Sequence, residues 1–91
     1  QIPVLDDYGN EFAYLDMGWE GPMIALEYDG IQHQTDRKRY AWDAKRLRMI
    51  QRQGWLHIRV IKEDSPRDVL NRVREAWGRR ETEARVAEPA A

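Results

Sequence analysis

The chain contains no cysteine, which excludes disulfide staples and thiolate metal sites and makes an intracellular, cytoplasmic protein the simplest expectation. It also lacks any apolar run approaching the roughly 20 residues that span a bilayer, and no charged-then-apolar signal segment opens it. A soluble protein without a membrane partner is expected. Most unevenly distributed is positive charge. The first 36 residues carry eight acids (Asp6, Asp7, Glu11, Asp16, Glu20, Glu27, Asp29, Asp36) and not one Lys or Arg. All 15 cationic side chains follow, against the remaining eight acids, so residues 37–91 carry +7 although the whole chain is only −1. Such polarity within 91 residues, enough for a single small domain, implies an acidic pocket suited to cations beside a basic surface suited to phosphates.

What is present reads as alternating elements. "IPVLDDYGN" (2–10) contains Pro3 and Gly9 and reads as a strand and turn. "EFAYLDMGW" (11–19) reads as one strand, "EGP" (20–22) as a turn, and Met23 to Tyr28 as the returning strand of a hairpin. A turn centred on Glu20 and Gly21 would put Asp16 across from Ala25 and diagonal to Glu27. Strand side chains alternate faces, so Asp16, Glu27 and Asp29 would then share one. After the polar stretch "DGIQHQTD", Thr35 or Asp36 is a suitable N-cap for a helix from Arg37 to Gln53. Tyr40, Ala44, Leu47 and Ile50 mark its apolar face, and Gly54 stops it. "WLHIRVI" (55–61) alternates as a strand. "SPRD" (65–68) opens a second helix, anchored by Val69, Val73, Ala76 and Trp77, that is expected to end near Gly78. Residues 81–91 read as a disordered tail. Trp55 and Trp77 are expected to pack.

Three carboxylates on one hairpin face repel one another, and burial makes each harder to ionise. A hard divalent cation would relieve both costs, since Mg²⁺ takes oxygen ligands and is often held by one or two carboxylates. The alternative places Glu27 and Asp29 on the solvent side of the hairpin, with Ile24, Leu26 and Tyr28 buried. Strand alternation alone leaves both open. The helix between Arg37 and Arg52 carries +6 with Tyr40 and Trp42 interleaved. It suits a phosphate backbone, although taken without the acidic motif it reads first as a solvated helix face.

The run "YLDMGWEGPMIALEYDGIQH", followed by "RKRYAWDAKRLRMIQRQGWLHIRVI", resembles the core of the PD-(D/E)XK nuclease superfamily. It is similar in particular to the small domains related to very-short-patch mismatch repair endonucleases, the DUF559 group. The resemblance implies an α/β restriction-endonuclease-like domain over residues 1–80: a mixed sheet of three to four strands flanked by two helices. The core helix that usually precedes the first strand would be supplied upstream, in a longer protein of which this is the C-terminal part, or the domain would pair with a second copy as a homodimer. It also implies a Mg²⁺- or Mn²⁺-dependent endonuclease acting on DNA, with Asp16, Glu27 and Asp29 as catalytic metal ligands and His33 as acid or base. Arg37, Lys38, Arg39, Lys45, Arg46 and Arg59 would contact nucleic acid, and Asp43 and Gln32 would orient the site. One position departs from the pattern: Asp29 stands where the superfamily normally has Lys. That departure favours a rival, a catalytically silent nucleic-acid-binding module of regulatory or antitoxin-like type. A weaker third possibility is a protein-interaction domain whose acidic and basic halves pair between subunits.

Overall fold

The computed structural model describes residues 1–29 and 36–87. Within them the chain forms β1 (Ile2–Leu5), β2 (Glu11–Leu15), β3 (Met17–Trp19), β4 (Ile24–Tyr28), α1 (Arg37–Arg52), β5 (Leu56–Val60) and α2 (Pro66–Ala87). The expected α/β class is present: a mixed three-stranded sheet and two helices, with a separate two-stranded ribbon. In the mixed sheet β4 is central, antiparallel to β3 and parallel to β5. The parallel pair requires a crossover, and α1 supplies it.

Residues 11–19 do not form one strand. The chain bends at Asp16, so β2 pairs with β1 while β3 pairs with β4. The bend lets a short chain cover one face of the three-stranded sheet with its own hairpin. Val4, Ala13 and Leu15 of the ribbon join Ala25, Ile50 and Trp55 in one buried cluster. On the other sheet face Ile24 and Ile58 pack with Ala76 of α2, flanked by Trp19, Leu26, Leu56, Val60 and Val73. With apolar partners on both faces, β4 is enclosed: Ile24 and Ala25 are both fully buried.

The β3–β4 ladder sets Met17 opposite Leu26, Gly18 opposite Ala25 and Trp19 opposite Ile24. It is displaced by two residues from the expected register, and a shift of two preserves which side chains share a face. The cause is the longer turn, Glu20 to Met23, closed by Met23 N–H donating to the Glu20 carbonyl (3.2 Å).

Local chemistry explains the helix ends. The Asp36 carboxylate accepts from the backbone N–H of Lys38 and Arg39 at 3.1 and 3.2 Å, capping α1. Gly54 takes φ 102° immediately after the helix, a conformation that favours glycine. At α2, Ser65 Oγ accepts from Asp68 N–H (3.1 Å). That helix passes straight through Gly78 to Ala87, so residues 81–87, expected as tail, are helical. A mid-helix glycine costs only about 1 kcal/mol relative to alanine. Three things hold the extension: the Thr82 hydroxyl donating to the Gly78 carbonyl, Glu83 pairing with Arg79 and Arg80, and Arg80 itself. Arg80 donates to the carbonyls of Pro22 and Met23 (2.7 and 3.2 Å) and of Gly54, tying α2 to the segments that enter β4 and β5. No helix among the described residues is long and apolar enough to cross a membrane.

Candidate functional site

Alternation along the parallel pair puts Ala25, Glu27 and Asp29 on the same sheet face as His57 and Arg59, since Ala25 faces His57 and Glu27 faces Arg59. This is the face covered by α1. The solvent-exposed alternative for Glu27 is therefore excluded: it is 9% exposed. Tyr28, expected inside, is 61% exposed on the other face.

The Glu27 carboxylate is met from two elements. Arg46 reaches down from α1 and grips it with both terminal nitrogens, Nη1 to Oε1 at 3.0 Å and Nη2 to Oε2 at 2.7 Å. His57 on β5 donates Nε2–H to Oε1 at 2.7 Å. Burial alone would push this carboxyl up; the hydrogen bonds from His57 and Arg46, with the Arg46 charge, outweigh it and hold the group at about 2 against an ordinary 4.5. The Arg46 guanidinium is correspondingly raised, chiefly by its hydrogen bonds to Glu27. Arg46 Nη2 also donates to the Tyr14 carbonyl at 3.0 Å, which pins β2 to the same point.

Charge of alternating sign continues from there. Arg46 lies 4.0 Å from Asp43 one turn earlier, Asp43 accepts from Arg59 Nη2 at 2.7 Å, and Arg59 Nε lies 3.6 Å from Asp29. Glu27, Arg46, Asp43, Arg59 and Asp29 thus form a ladder around a cavity of about 90 Å³ that Tyr28 and His57 also line. The cavity opens at the carboxyl ends of the parallel strands, where open α/β sheets bind their ligands.

Of the residues expected in the site, Glu27, Asp29, Asp43, Arg46 and Arg59 are brought together. Arg46 and Arg59, expected among the contacts to nucleic acid, instead face carboxylates inside the site. Asp16 is not brought to the cavity: it is exposed at the bend and borders a separate apolar groove with Met17, Leu26, Tyr28, Val60 and Val69. Only its field reaches the site, contributing to the rise in the Arg46 guanidinium. The cause is the break between β2 and β3, which turns position 16 away from the ladder that the register would otherwise extend. His33 and Gln32 lie outside the described residues. His57 is a site residue that sequence reasoning missed. The signal that could have found it is its alternation with Arg59, which puts it on the same strand face.

The donor set does not fit Mg²⁺ or Mn²⁺ as arranged. Glu27 already accepts three hydrogen bonds, two of them from a guanidinium, Asp29 faces a second guanidinium, and Asp16 lies elsewhere. Among the described residues no group of three or more His, Cys, Asp or Glu side chains is placed to hold a metal ion.

The exposed cations of α1 are differently placed. Arg37, Lys38, Arg39, Lys45 and Arg48 are exposed and make no ion pair among the described residues, with Arg37 stacked on the Tyr40 ring at 5.2 Å. Arg52 is spoken for by Asp7, 2.7 Å away. Tyr40 and Trp42 stand in solvent beside these cations, at 52% and 60% exposure; for Tyr40 this corrects the expectation of a place on the apolar face. No family model, curated protein or solved structure matches the chain.

Proposed function

We propose that this chain is a DNA-acting domain of the restriction-endonuclease-like type, related to the very-short-patch repair endonucleases, which grips the phosphate backbone with the exposed cations of α1. The observation that carries this reading is the set of five exposed cations free of carboxylate partners among the described residues of the chain, four of them (Arg37, Lys38, Lys45 and Arg48) within one side of α1 and accompanied by two exposed aromatic rings. Each phosphate such a set neutralises releases counterions and adds affinity independent of sequence. The sequence resemblance supplies the identity of the nucleic acid.

Endonucleolytic cleavage with Mg²⁺ or Mn²⁺ is the catalytic form of this reading. It is favoured by an ionised carboxylate buried at the carboxyl end of β4, with Asp29 two residues on. The silent binding module is favoured by the saturation of that carboxylate by Arg46 and His57.

The test uses fluorescently labelled duplex DNA titrated across a salt series, with plasmid incubated in Mg²⁺ or Mn²⁺ alongside. Replacing Arg37, Lys38 and Arg39 together by alanine should weaken binding of all sequences alike. It should also flatten the dependence of log K on log salt by about 0.9 for each phosphate that is no longer neutralised. Metal-dependent nicking that disappears in Glu27→Ala selects the endonuclease; binding without nicking selects the silent module. A wild-type chain that ignores DNA even at low salt refutes both.

A further inference from the structure

We infer that Arg46 is the resident counter-cation of this site, a guanidinium built into α1 that neutralises Glu27 where the sequence resemblance implies a divalent ion. The inference rests on the reading of the cavity as the phosphodiester site of such a domain, but its geometry stands by itself. A carboxylate offers about four lone-pair positions. Arg46 and His57 fill three of them at 2.7 to 3.0 Å.

Arg46 is not a side chain that has merely fallen onto a nearby acid. The same Nη2 is fixed to the Tyr14 carbonyl on β2, its neighbour Asp43 is held by Arg59 from β5, and Arg59 also faces Asp29. Three acids and two guanidinium groups leave one net negative charge, and Asp29 at the cavity mouth remains 29% exposed. An entering Mg²⁺ would have to shed water, which it does reluctantly, and also evict a bidentate guanidinium tied to three elements of the fold. A planar fork that matches both carboxylate oxygens is a task for arginine, and lysine would meet only one of them.

The experiment follows uptake of Mn²⁺ from its free-ion electron paramagnetic resonance signal, in wild type and Glu27→Gln, and melting temperature in EDTA and in MgCl₂. Wild type should leave the Mn²⁺ signal at its buffer level and melt at the same temperature in both solutions. Uptake that persists unchanged in Glu27→Gln also supports the inference, because the ion then sits on other oxygens. Uptake by wild type that Glu27→Gln abolishes overturns it.

Arg46→Met should lower the melting temperature by roughly 15 °C or more, or prevent folding, by leaving a buried carboxylate without its cation. Arg46→Lys, which keeps the charge but not the fork, should recover part of that loss. An Arg46→Met chain as stable as wild type overturns the inference as well. Binding of labelled DNA in EDTA reads the underlying functional proposal separately, so the two can fail independently.

Discussion

Acid should dismantle this protein through Glu27 in a way that can be measured against a single substitution. The carboxyl is held at about 2 in the folded chain against 4.5 ordinarily. At about 1.4 kcal/mol per pH unit, that difference is on the order of 3 kcal/mol of folding stability. Because the folded value lies below the unfolded one, the contribution is fully present above about pH 4.5. It is lost as pH falls towards about 2, where the carboxylate takes up a proton in the folded chain as well and its attraction to Arg46 is lost. Glu27→Gln keeps the shape and removes the charge, leaving the Arg46 guanidinium, 21% exposed, with no anion across from it. Breaking one side of a buried pair costs about 3–5 kcal/mol, and the partial access of Arg46 to water places this case at the lower end.

The assay is urea unfolding of both proteins by circular dichroism at a series of pH values from 7 to 2.5. Wild type should exceed Glu27→Gln by about 3 kcal/mol at pH 7, and the gap should shrink steadily below pH 4.5. Taking the difference cancels the contribution of carboxylates remote from the Glu27–Arg46 pair, since distant sites act additively. A gap below about 1 kcal/mol at neutral pH, or one that stays constant down to pH 2.5, would refute the account of Glu27 as a buried anion held by Arg46 and His57.

Two further outcomes follow from the packing. Gly18 lies opposite Ala25, and a Cβ there would stand 2.6 Å from the Ile24 carbonyl oxygen; since backbone must move, Gly18→Ala should cost roughly 1–3 kcal/mol in thermal unfolding, and a neutral result would contradict the β3–β4 register. Arg80→Ala removes the charged hydrogen bonds to Pro22, Met23 and Gly54. It should lower stability by about 1.5–3 kcal/mol and speed amide exchange in residues 79–87 more than in α1, whereas uniform exchange would show that Arg80 does not anchor the end of α2.

Much of the architecture was legible from residues a few positions apart. Asp36 caps the helix it precedes, Gly54 stops it, and Ser65 with Asp68 opens the next one. These are local events, decided by dihedral preference and by hydrogen bonds spanning two or three residues. Trp55, expected in the core, is 8% exposed; Trp77, expected to anchor α2, packs edge-on to Trp19 with ring centres 6.3 Å apart but stays 37% exposed at the margin of the core. The succession of extended and helical segments was legible from periodicity apart from the division of residues 11–19 into two strands, and the sharing of one face by Glu27 and Asp29 followed from alternation.

Long-range packing decided what alternation could not. Whether the acidic face of β4 meets water or α1 depends on which face the crossover covers, and period-two patterning is blind to that. The break at Asp16 saves the β1–β2 ribbon from solvent by folding Val4, Ala13 and Leu15 onto Ala25, Ile50 and Trp55. No feature of "EFAYLDMGW" announces it. The persistence of α2 through Gly78 depends on Arg80 finding carbonyls 26 to 58 residues away in sequence.

The partners of Glu27 are of the same kind, with Arg46 19 residues later and His57 30 residues later. Sequence by itself determined that like charges would gather on one face of β4. The tertiary structure decided how they are tolerated, because only packing α1 and β5 against that face brings in two guanidinium groups and an imidazole to answer them.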